Sequence, residues 1–471
     1  KETAILLDQK NAVVFKQSIG AQEMARKGVS DVEEGLTKIT GITKVESRGL
    51  FVRGLEERYS NLLINELQAP SNSPFTKIIP LDLFPTDIVG VLNVYKTFNP
   101  NIAGDFAGAT VNIETVQAKS ITKLSIGTSF TTDNNGSDFL IHSDANNTQG
   151  FFGLNGRDRQ LSPLYGNVPA SKVLTPDEYN TTYKNNTWNV DKTSSPLNTS
   201  IGLIHSEKFN LDNGDKINYT FSINGDNKFI IRKGVDRTFI LGGGDYDNNF
   251  QKESYSYQTN ASALAAVNYK AKRFDVALNS FYLRSTDSKI IDQLGYTNNQ
   301  SSNPNILIRT NQFDQSDYLN TQLIGNIKLT SDEKHTLKFG GSFVKTGYEQ
   351  PDRKFIIGEK VSPTEIETRY GGNHLNKQYL DINGNYYFSG LLEYNYKFDE
   401  KENGKSNRLT VGYNVFENDL KSTYRTFASR GLNKSYIAPI NSINSLIVDD
   451  INNGIIFERE ESNTDYKNKL N

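Results

Sequence analysis

The chain has 471 residues, which is too long for one ordinary domain and predicts at least two folded units. Its 52 basic and 54 acidic residues nearly cancel, so the composition indicates no concentrated basic surface and no nucleic-acid partner. The absence of cysteine excludes disulfides, thiolate zinc sites and cysteine nucleophiles, and 4 histidines leave little room for imidazole metal clusters. Scattered Ser, His and Asp residues show no triad spacing. We therefore expect no enzyme activity, no resident metal and no cofactor.

The hydropathy pattern bears on whether the chain could enter a membrane. No run of about 18 apolar residues could cross a bilayer as a helix. Residues 1–3 do not begin a signal peptide, as expected of a mature or trimmed end. A transmembrane strand, however, needs only about 10 residues and presents alternate side chains to lipid. The 24 tyrosines and 26 phenylalanines suit the aromatic girdles of such strands.

Residues 1–119 have the mixed pattern of a small α/β domain. Ser30 and Glu33 have the spacing of a capping box, which predicts a helix that begins after Ser30. Three apolar residues follow at helical period: Val32, Leu36 and Ile39. Short apolar stretches then predict strands at 62–64, 91–95 and 110–113. We expect this region to fold as a separate domain.

From about residue 120 onwards, apolar residues alternate with period two, which indicates β-strands. Leu124, Ile126 and Phe130 share one face, and Phe274, Leu278 and Tyr282 share another. This alternation predicts about ten strands of roughly 10–13 residues. They are expected near 121–130, 197–208, 214–225, 255–269, 273–285, 317–329, 335–346, 385–397, 407–419 and 456–468.

The predicted connections alternate between short and long. Short polar turns are expected at 210–215, 270–272, 330–334 and 399–407. Long connections are expected at 131–196, 226–254, 286–316, 347–384 and 420–455. An up-and-down outer-membrane barrel has this alternation, with tight periplasmic turns and long external loops. A soluble β-sandwich stays open as an alternative, although it gives no reason for loops to be sorted by length.

The size of the first domain limits the size of a barrel that could surround it. A compact domain of 119 residues corresponds to a sphere of roughly 17 Å radius. A ten-stranded barrel has a backbone radius of about 10 Å, whereas about 22 strands give roughly 22 Å. Only the larger barrel leaves room for the domain once inward side chains are subtracted. The ten predicted strands are therefore expected to be about half of a 22-stranded barrel, with the remaining strands beyond residue 471.

A series of short motifs runs through residues 11–115. In chain order they are VRGLEERY at 52–59, LLIN at 62–65, PS at 70–71, PLDLFP at 80–85, VYKTF at 94–98, GDFAG at 104–108 and VNI at 111–113. In content and order they resemble the plug of TonB-dependent outer-membrane receptors. Glu66 and Ala107 stand where that family often has glycine, so we expect altered turns at these two positions.

The resemblance implies a fold and a location. The expected fold is a mixed α/β plug domain (1–119) followed by the first part of an antiparallel transmembrane β-barrel (120–471). The expected location is the cell outer membrane of a Gram-negative bacterium, so outer-membrane lipid is one expected partner. The other is TonB of the inner-membrane energising complex. A surface lipoprotein and other outer-membrane subunits stay open as partners.

The resemblance also implies active uptake of a substrate, such as a siderophore, a glycan or a peptide, through the plugged barrel. The alternative is a plugged-barrel subunit of a larger outer-membrane assembly without transport activity. The chain begins just before the expected first plug strand at 12–15, and residues 2–7 are a candidate remnant of the TonB-binding segment.

Two sets of plug residues are candidate sites. The family suggests that Arg53 and Arg58 pair with carboxylates on the barrel wall, because guanidinium suits bidentate pairing; ordinary surface arginines stay the other interpretation. The proline-bounded loop after Asn65 supplies candidate substrate-facing residues, although an inert loop packed on the wall is equally open. These candidates are Ser71, Asn72, Ser73, Phe75 and Thr76.

Overall fold

The structure is a computed structural model of the 471-residue chain. It describes residues 5, 7, 9, 15–29, 31–45, 49–71, 73, 75–116, 120–166, 172–240, 246–297, 303–370, 374–399, 407–432 and 434–470. Predictions made for Ser30, Asn72, residues 12–14 and most of residues 2–7 fall outside these ranges.

Residues 16–115 form two small sheets with two short helices against them. The elements are β1 (Lys16–Gly20), α1 (Ala21–Arg26), α2 (Val32–Thr37), β2 (Ile42–Val45), β3 (Gly49–Val52), β4 (Leu55–Glu56), β5 (Asn61–Ile64), β6 (Leu67–Gln68), β7 (Val89–Tyr95) and β8 (Thr110–Thr115). Five strands form one sheet in the order β1-β7-β8-β5-β6, and β2, β3 and β4 form the other. Pairing is antiparallel except between β5 and β8. We refer to residues 15–116 as the N-terminal domain.

Helix α2 begins one residue later than the capping box predicted. Its N-cap is Asp31, whose carboxylate accepts the N–H of Glu34 at 2.8 Å. The predicted cap at Ser30 is thus corrected, because a carboxylate at the next position already satisfies an orphan amide of the first turn. Val32 and Leu36 are buried in the domain core as predicted.

Residues 121–470 form the second part of the chain. Its strands are β9 (Ile121–Ser129), β10 (Asp138–His142), β11 (Val190–Ser194), β12 (Asn198–Asn210), β13 (Lys216–Phe239), β14 (Tyr246–Lys270), β15 (Phe274–Thr297), β16 (Ile306–Lys328), β17 (His335–Lys360), β18 (Glu365–Arg369), β19 (Leu375–Phe398), β20 (Asn407–Gly431), β21 (Ser435–Pro439) and β22 (Ile456–Leu470). Its helices are α3 (Thr148–Phe151), α4 (Pro176–Thr182) and α5 (Asn444–Asn452).

Ten of these strands follow one antiparallel path, in the order β22-β20-β19-β17-β16-β15-β14-β13-β12-β9. They are the ten predicted strands in their predicted order. The path ends at β9 on one side and β22 on the other, so the described strands form an open wall. No helix in the described parts of the chain is long and apolar enough to cross a membrane.

Several strands are much longer than predicted, and the expected loops at 226–254, 286–316 and 347–384 are largely strand. Strand β17, for example, has 26 residues. The sequence pattern did not predict these extensions, because their polar residues lack the apolar alternation of the predicted strand segments. The backbone ladder nevertheless continues, as the unbroken pairing of β14 with β15 from Lys270 to Asn248 shows.

The two faces of the wall differ in character. On one face, apolar side chains at alternate positions are exposed, including Leu278, at 50 %. Others on this apolar face are Leu124, Ile126, Ile201, Leu203, Phe221, Ile223, Val267, Leu319, Leu323, Leu392, Val411 and Val415. On the opposite face, Leu264, Phe281 and Tyr318 are buried in a common core with the N-terminal domain. The domain therefore covers one face, and an exposed apolar band runs along the other.

The long connection at 131–196 is not an irregular loop. It contains the antiparallel strand pair β10–β11, with helices α3 and α4 in the chain between these strands, and it packs with α5 and β21 around two buried clusters. We call residues 131–196 the outer lobe. The lobe contacts Tyr257 and Thr286, which lie on the apolar face of the wall but farther along the strands than the exposed band. The lobe and the N-terminal domain thus lie on opposite faces.

Candidate functional site

The N-terminal domain is joined to the wall by polar contacts at the β5–β6 turn. Gln322 of β16 is fully buried; its Nε2 donates to the carbonyl of Ile64 at 3.0 Å, and its Oε1 accepts from Asn65 Nδ2 at 2.8 Å. On β19, the Tyr387 hydroxyl donates to Gln68 Oε1 at 2.8 Å. These side chains lie more than 250 residues apart in sequence, so only the fold brings them together.

The altered turn predicted at Glu66 has a structural counterpart. Asn65 and Glu66 both have left-handed backbone conformations, with φ of 51° and 67°. The Glu66 N–H donates to Asn112 Oδ1 at 2.9 Å, and its carboxylate forms an ion pair with Lys338 of β17. A glycine would avoid the backbone strain at Glu66 but would lose this contact with the wall.

Apolar contacts join the same two parts of the molecule. The rings of Phe84 and Phe281 meet edge-on, with centroids 6.2 Å apart. Leu283 and Val344 of the wall are also fully buried in the core of the N-terminal domain. The boundary therefore includes a dry apolar contact as well as separate polar ones.

Arg53 and Arg58 contact other residues of the N-terminal domain. Arg53 Nη1 donates to the carbonyl of Lys96 at 3.1 Å. Arg58 forms a 2.6 Å ion pair with Glu56 and lies over the Tyr59 ring. Within the described residues, neither contact reaches the wall. Their pairing with wall carboxylates stays a prediction.

The candidate substrate-facing loop is held by its own hydrogen bonds. Ser71 Oγ accepts the N–H of Ser73 at 3.1 Å, and Ser73 Oγ accepts the N–H of Phe75 at 3.2 Å. Ser71 Oγ also lies 3.5 Å from the hydroxyl of Thr76. Asn72 lies outside the described residues. The loop presents Phe75, which is 71 % exposed, towards Tyr348 of the wall, with ring centroids 5.8 Å apart.

Tyr348 belongs to a polar cluster on the wall that sequence reasoning missed. Asp314 accepts from the Tyr348 hydroxyl at 3.0 Å and from Gln350 Nε2 at 2.7 Å. Next to it, Lys289 lies 2.6 Å from Asp287 and 3.7 Å from Asp314. We call these five residues the vestibule cluster. The only indication of this cluster in the sequence was that polar residues are frequent between two apolar strand segments.

This arrangement has the chemistry of a binding surface. An exposed aromatic ring on the N-terminal domain faces a wall of carboxylates, amides and an ammonium group, which can together contact apolar and hydrogen-bonding parts of a ligand. Among the described residues, no group of three His, Asp or Glu side chains could hold a metal ion.

The fold and the site together define a class of structure: a globular domain packed against one face of an open antiparallel sheet. Solved structures of several outer-membrane receptors and transporters are similar to most of the chain at low sequence identity. The unliganded ferric citrate transporter FecA matches 96 % of this chain and 66 % of its own, with 11 % identity and a TM-score of 0.36.

Two further solved structures show the same level of similarity. The ferric yersiniabactin uptake receptor FyuA from Yersinia pestis matches 90 % of this chain and 67 % of its own, with 10 % identity and a TM-score of 0.38. The ferric-catecholate import receptor Fiu from Escherichia coli K12 matches 89 % and 66 %, with 9 % identity and a TM-score of 0.39. The chain thus spans about two thirds of the length of these structures. The sequence matches no protein-family model and no curated protein.

Proposed function

We propose that this chain is the plug and the first ten wall strands of a TonB-dependent transporter in the outer membrane of a Gram-negative bacterium. The observation that carries the proposal is the two-faced wall. One face exposes apolar side chains at alternate positions, and the other is covered by a folded domain. Exposed apolar alternation is unfavourable in water and favourable in lipid.

The proposal includes the domain division at residues 119 and 120 and a closed barrel of about 22 strands. The open path from β22 to β9 supports this proposal, because further strands between these edges would satisfy the edge hydrogen bonds in lipid. A barrel of this width would be an open pore, and the N-terminal domain would block it. The vestibule cluster and the Ser71–Thr76 segment would face an incoming substrate, whose class stays open among siderophores, glycans and peptides.

Movement of the plug is the second part of the proposal. The contacts of Gln322, Tyr387 and Lys338 with the plug are individual hydrogen bonds and ion pairs, which can break one after another. We propose that TonB pulls on the chain ahead of Lys16 and breaks them in sequence. A non-transporting subunit of a larger assembly, the other function that the sequence left open, is not favoured by these findings.

Two experiments on the full-length protein test the two parts separately. Removal of residues 1–119 should produce a large, permanently open conductance in planar bilayers, whereas the intact protein should be closed. A photo-crosslinker placed in turn at each position ahead of Lys16 should give a TonB adduct in cells, and one at Lys192 of the outer lobe should give none. Equal conductance with and without the plug would contradict the pore, and the absence of any TonB adduct would contradict the coupling.

A further inference from the structure

The outer lobe carries an exposed apolar tip. Helix α3 ends at Phe151, and the chain continues through Phe152 and Gly153 to Leu154. Phe152 is 61 % exposed and Leu154 is 53 % exposed. The rings of Phe151 and Phe152 lie edge to face, 5.2 Å apart. We call residues 151–154 the lobe tip. Large apolar side chains next to each other on a surface usually mark a contact with another apolar phase.

The wall holds the lobe tip in place through its backbone. The Tyr257 hydroxyl donates to the carbonyl of Phe151 at 2.6 Å, and Arg284 Nη2 donates to the carbonyl of Gly153 at 3.0 Å. Gly153 has φ of 65°, and a Cβ there would lie 2.3 Å from the hydroxyls of Thr259 and Thr286. Only glycine fits this close approach. The side chains on either side of Gly153 are therefore presented from a fixed backbone.

The position of these attachments along the strands places the tip next to the apolar band. Arg284 follows Tyr282 by two residues on the same face of β15, which corresponds to about 7 Å along the strand. Tyr282 pairs with Ala263 and with Leu319, and both Tyr282 and Leu319 belong to the exposed band. The tip thus lies at the outer end of the band and on the same face.

We propose that the lobe tip inserts into the outer leaflet of the membrane, with Phe152 and Leu154 in the interfacial part of the lipid. The inference rests on the proposed function, because it requires that the apolar band is in lipid. Continuity with the band identifies lipid as the partner, since a side chain about 7 Å beyond a lipid-facing tyrosine reaches the head-group region. Arg157, exposed three residues beyond Leu154, suits anionic head groups there.

Insertion would fix the outer lobe to the membrane surface. The lobe packs on the strand extensions from β13 to β20, whose opposite face carries the vestibule cluster. Anchoring the lobe in lipid would therefore brace the wall of the vestibule from outside. This role would explain why the tip needs a rigid attachment through Arg284 and Tyr257.

The absence of cysteine in this chain allows a direct test with single spin labels. Phe152→Cys and Leu154→Cys would be labelled in the full-length protein and reconstituted into vesicles of phosphatidylcholine and phosphatidylglycerol. Accessibility to oxygen, which is enriched in lipid, would be compared with accessibility to a water-soluble nickel chelate. Leu278→Cys is the control within the band. Leu164→Cys is the second control, because Leu164 is an exposed apolar residue of the lobe that lies far from the band. The carbonyl of nearby Gly166 accepts a hydrogen bond from Arg425, which is about 33 Å along β20 from Val415 in the band.

We expect labels at 152, 154 and 278 to favour oxygen over the chelate, and the label at 164 to favour the chelate. If 278 favours oxygen but 152 and 154 favour the chelate, the tip is in water and the inference is wrong while the proposed function stands. If 152 and 154 are shielded from both reagents, another protein surface covers the tip, which also overturns the inference. If 278 favours the chelate, the membrane-spanning wall itself is wrong.

Discussion

Individual buried charges hold the outer lobe to the wall. Lys377 of β19 is 2.7 Å from Glu458 of β22, and its Nζ lies 3.8 Å above the Tyr183 ring of the lobe. The hydroxyls of Tyr165 and Tyr183 donate to the same carboxylate at 2.8 and 3.1 Å. Burial lowers the pKa of Lys377, but Glu458 and the other acidic groups around it together raise the pKa above its ordinary value, so the ammonium stays charged. This pair lies far beyond the apolar band.

Removal of one partner from this pair should be costly. Lys377→Met leaves Glu458 buried without its cation and is expected to destabilise the lobe by about 3–5 kcal/mol. The double variant Lys377→Met, Glu458→Gln should recover a large part of that loss. The stability of the lobe in the two variants would be measured as the protection of amides in residues 172–194 against hydrogen exchange. If the double variant lost as much protection as Lys377→Met alone, the unpaired Glu458 charge would not be the cause of the loss.

His142 of the lobe gives a pH-dependent prediction. It is fully buried beside Arg159, and burial followed by that guanidinium lowers its pKa from 6.5 to about 4. Because the folded pKa is below the unfolded one, His142 contributes stability above about pH 6.5 that is lost as the pH falls towards 4. The loss is at most about 3 kcal/mol. Hydrogen exchange of the lobe between pH 7 and 4 measures it.

A matched variant isolates the effect of the imidazole. His142→Gln has no titrating group at this position, so lobe protection should vary much less over the same pH range. An unchanged pH dependence in this variant would assign the effect to other groups.

Gly153 and Gly136 form a pair that separates backbone strain from steric clash. Both have left-handed backbones, but a Cβ at Gly136 would meet open space, whereas one at Gly153 would lie 2.3 Å from two hydroxyls. Gly136→Ala should therefore cost roughly 1 kcal/mol, and Gly153→Ala clearly more, because the lobe tip must move from the wall. Limited proteolysis near residue 153 measures the difference. Equal effects would show that the tip is not held closely.

At the scale of elements, the β5–β6 turn and strand β16 form a polar joint between the N-terminal domain and the wall. Gln322→Leu removes the bonds to Ile64 and Asn65 and leaves their polar atoms without these partners. This change should weaken the attachment of the N-terminal domain by about 1–3 kcal/mol. In planar bilayers, the full-length variant should show brief openings under urea at lower concentrations than the unaltered protein. Lys338→Ala, which breaks a more exposed contact, is the control and should have a smaller effect.

At the level of single strands, the hydrophobic pattern of the sequence predicted some strands correctly and missed the extensions of others. Alternation located β9 and β12 to within a few residues, because apolar residues alternate through the middle of each strand. The extension of β17 beyond residue 346 lacks this alternation, so the sequence pattern ends there although the strand continues. In the lobe, the Thr175–Glu178 capping box with Pro176 at the first helical position was a readable signal for α4.

At the scale of the whole molecule, the apolar band decides whether the protein enters a membrane. Leu323→Arg places a charge within the band and should cost about 2–4 kcal/mol of folding free energy in vesicles. Val235→Arg, on the strand extension of β13 and also exposed, should be nearly neutral. Urea titration of the full-length protein in vesicles measures both. Equal costs at the two positions would contradict a lipid-facing band.

The candidate site could be predicted only in part. The loop at 71–76 was a candidate from the sequence, and its Phe75 ring lies 5.8 Å from the Tyr348 ring of the wall, while a substrate-facing role stays a prediction. The wall side of that contact, Tyr348 with Asp314 and Gln350, had no motif. The vestibule cluster depends on the register of β15, β16 and β17, which no local pattern specifies.

The sequence by itself determined the period-two strands and their order, because these follow from local hydrophobic periodicity and turn chemistry. Only the tertiary structure decided that Gln322 meets Asn65, that residues 131–196 fold into a lobe, and that this lobe lies on the face opposite the N-terminal domain. Those contacts join residues far apart in sequence. They are selected by the packing and hydrogen bonding of whole faces, which no short window of sequence contains.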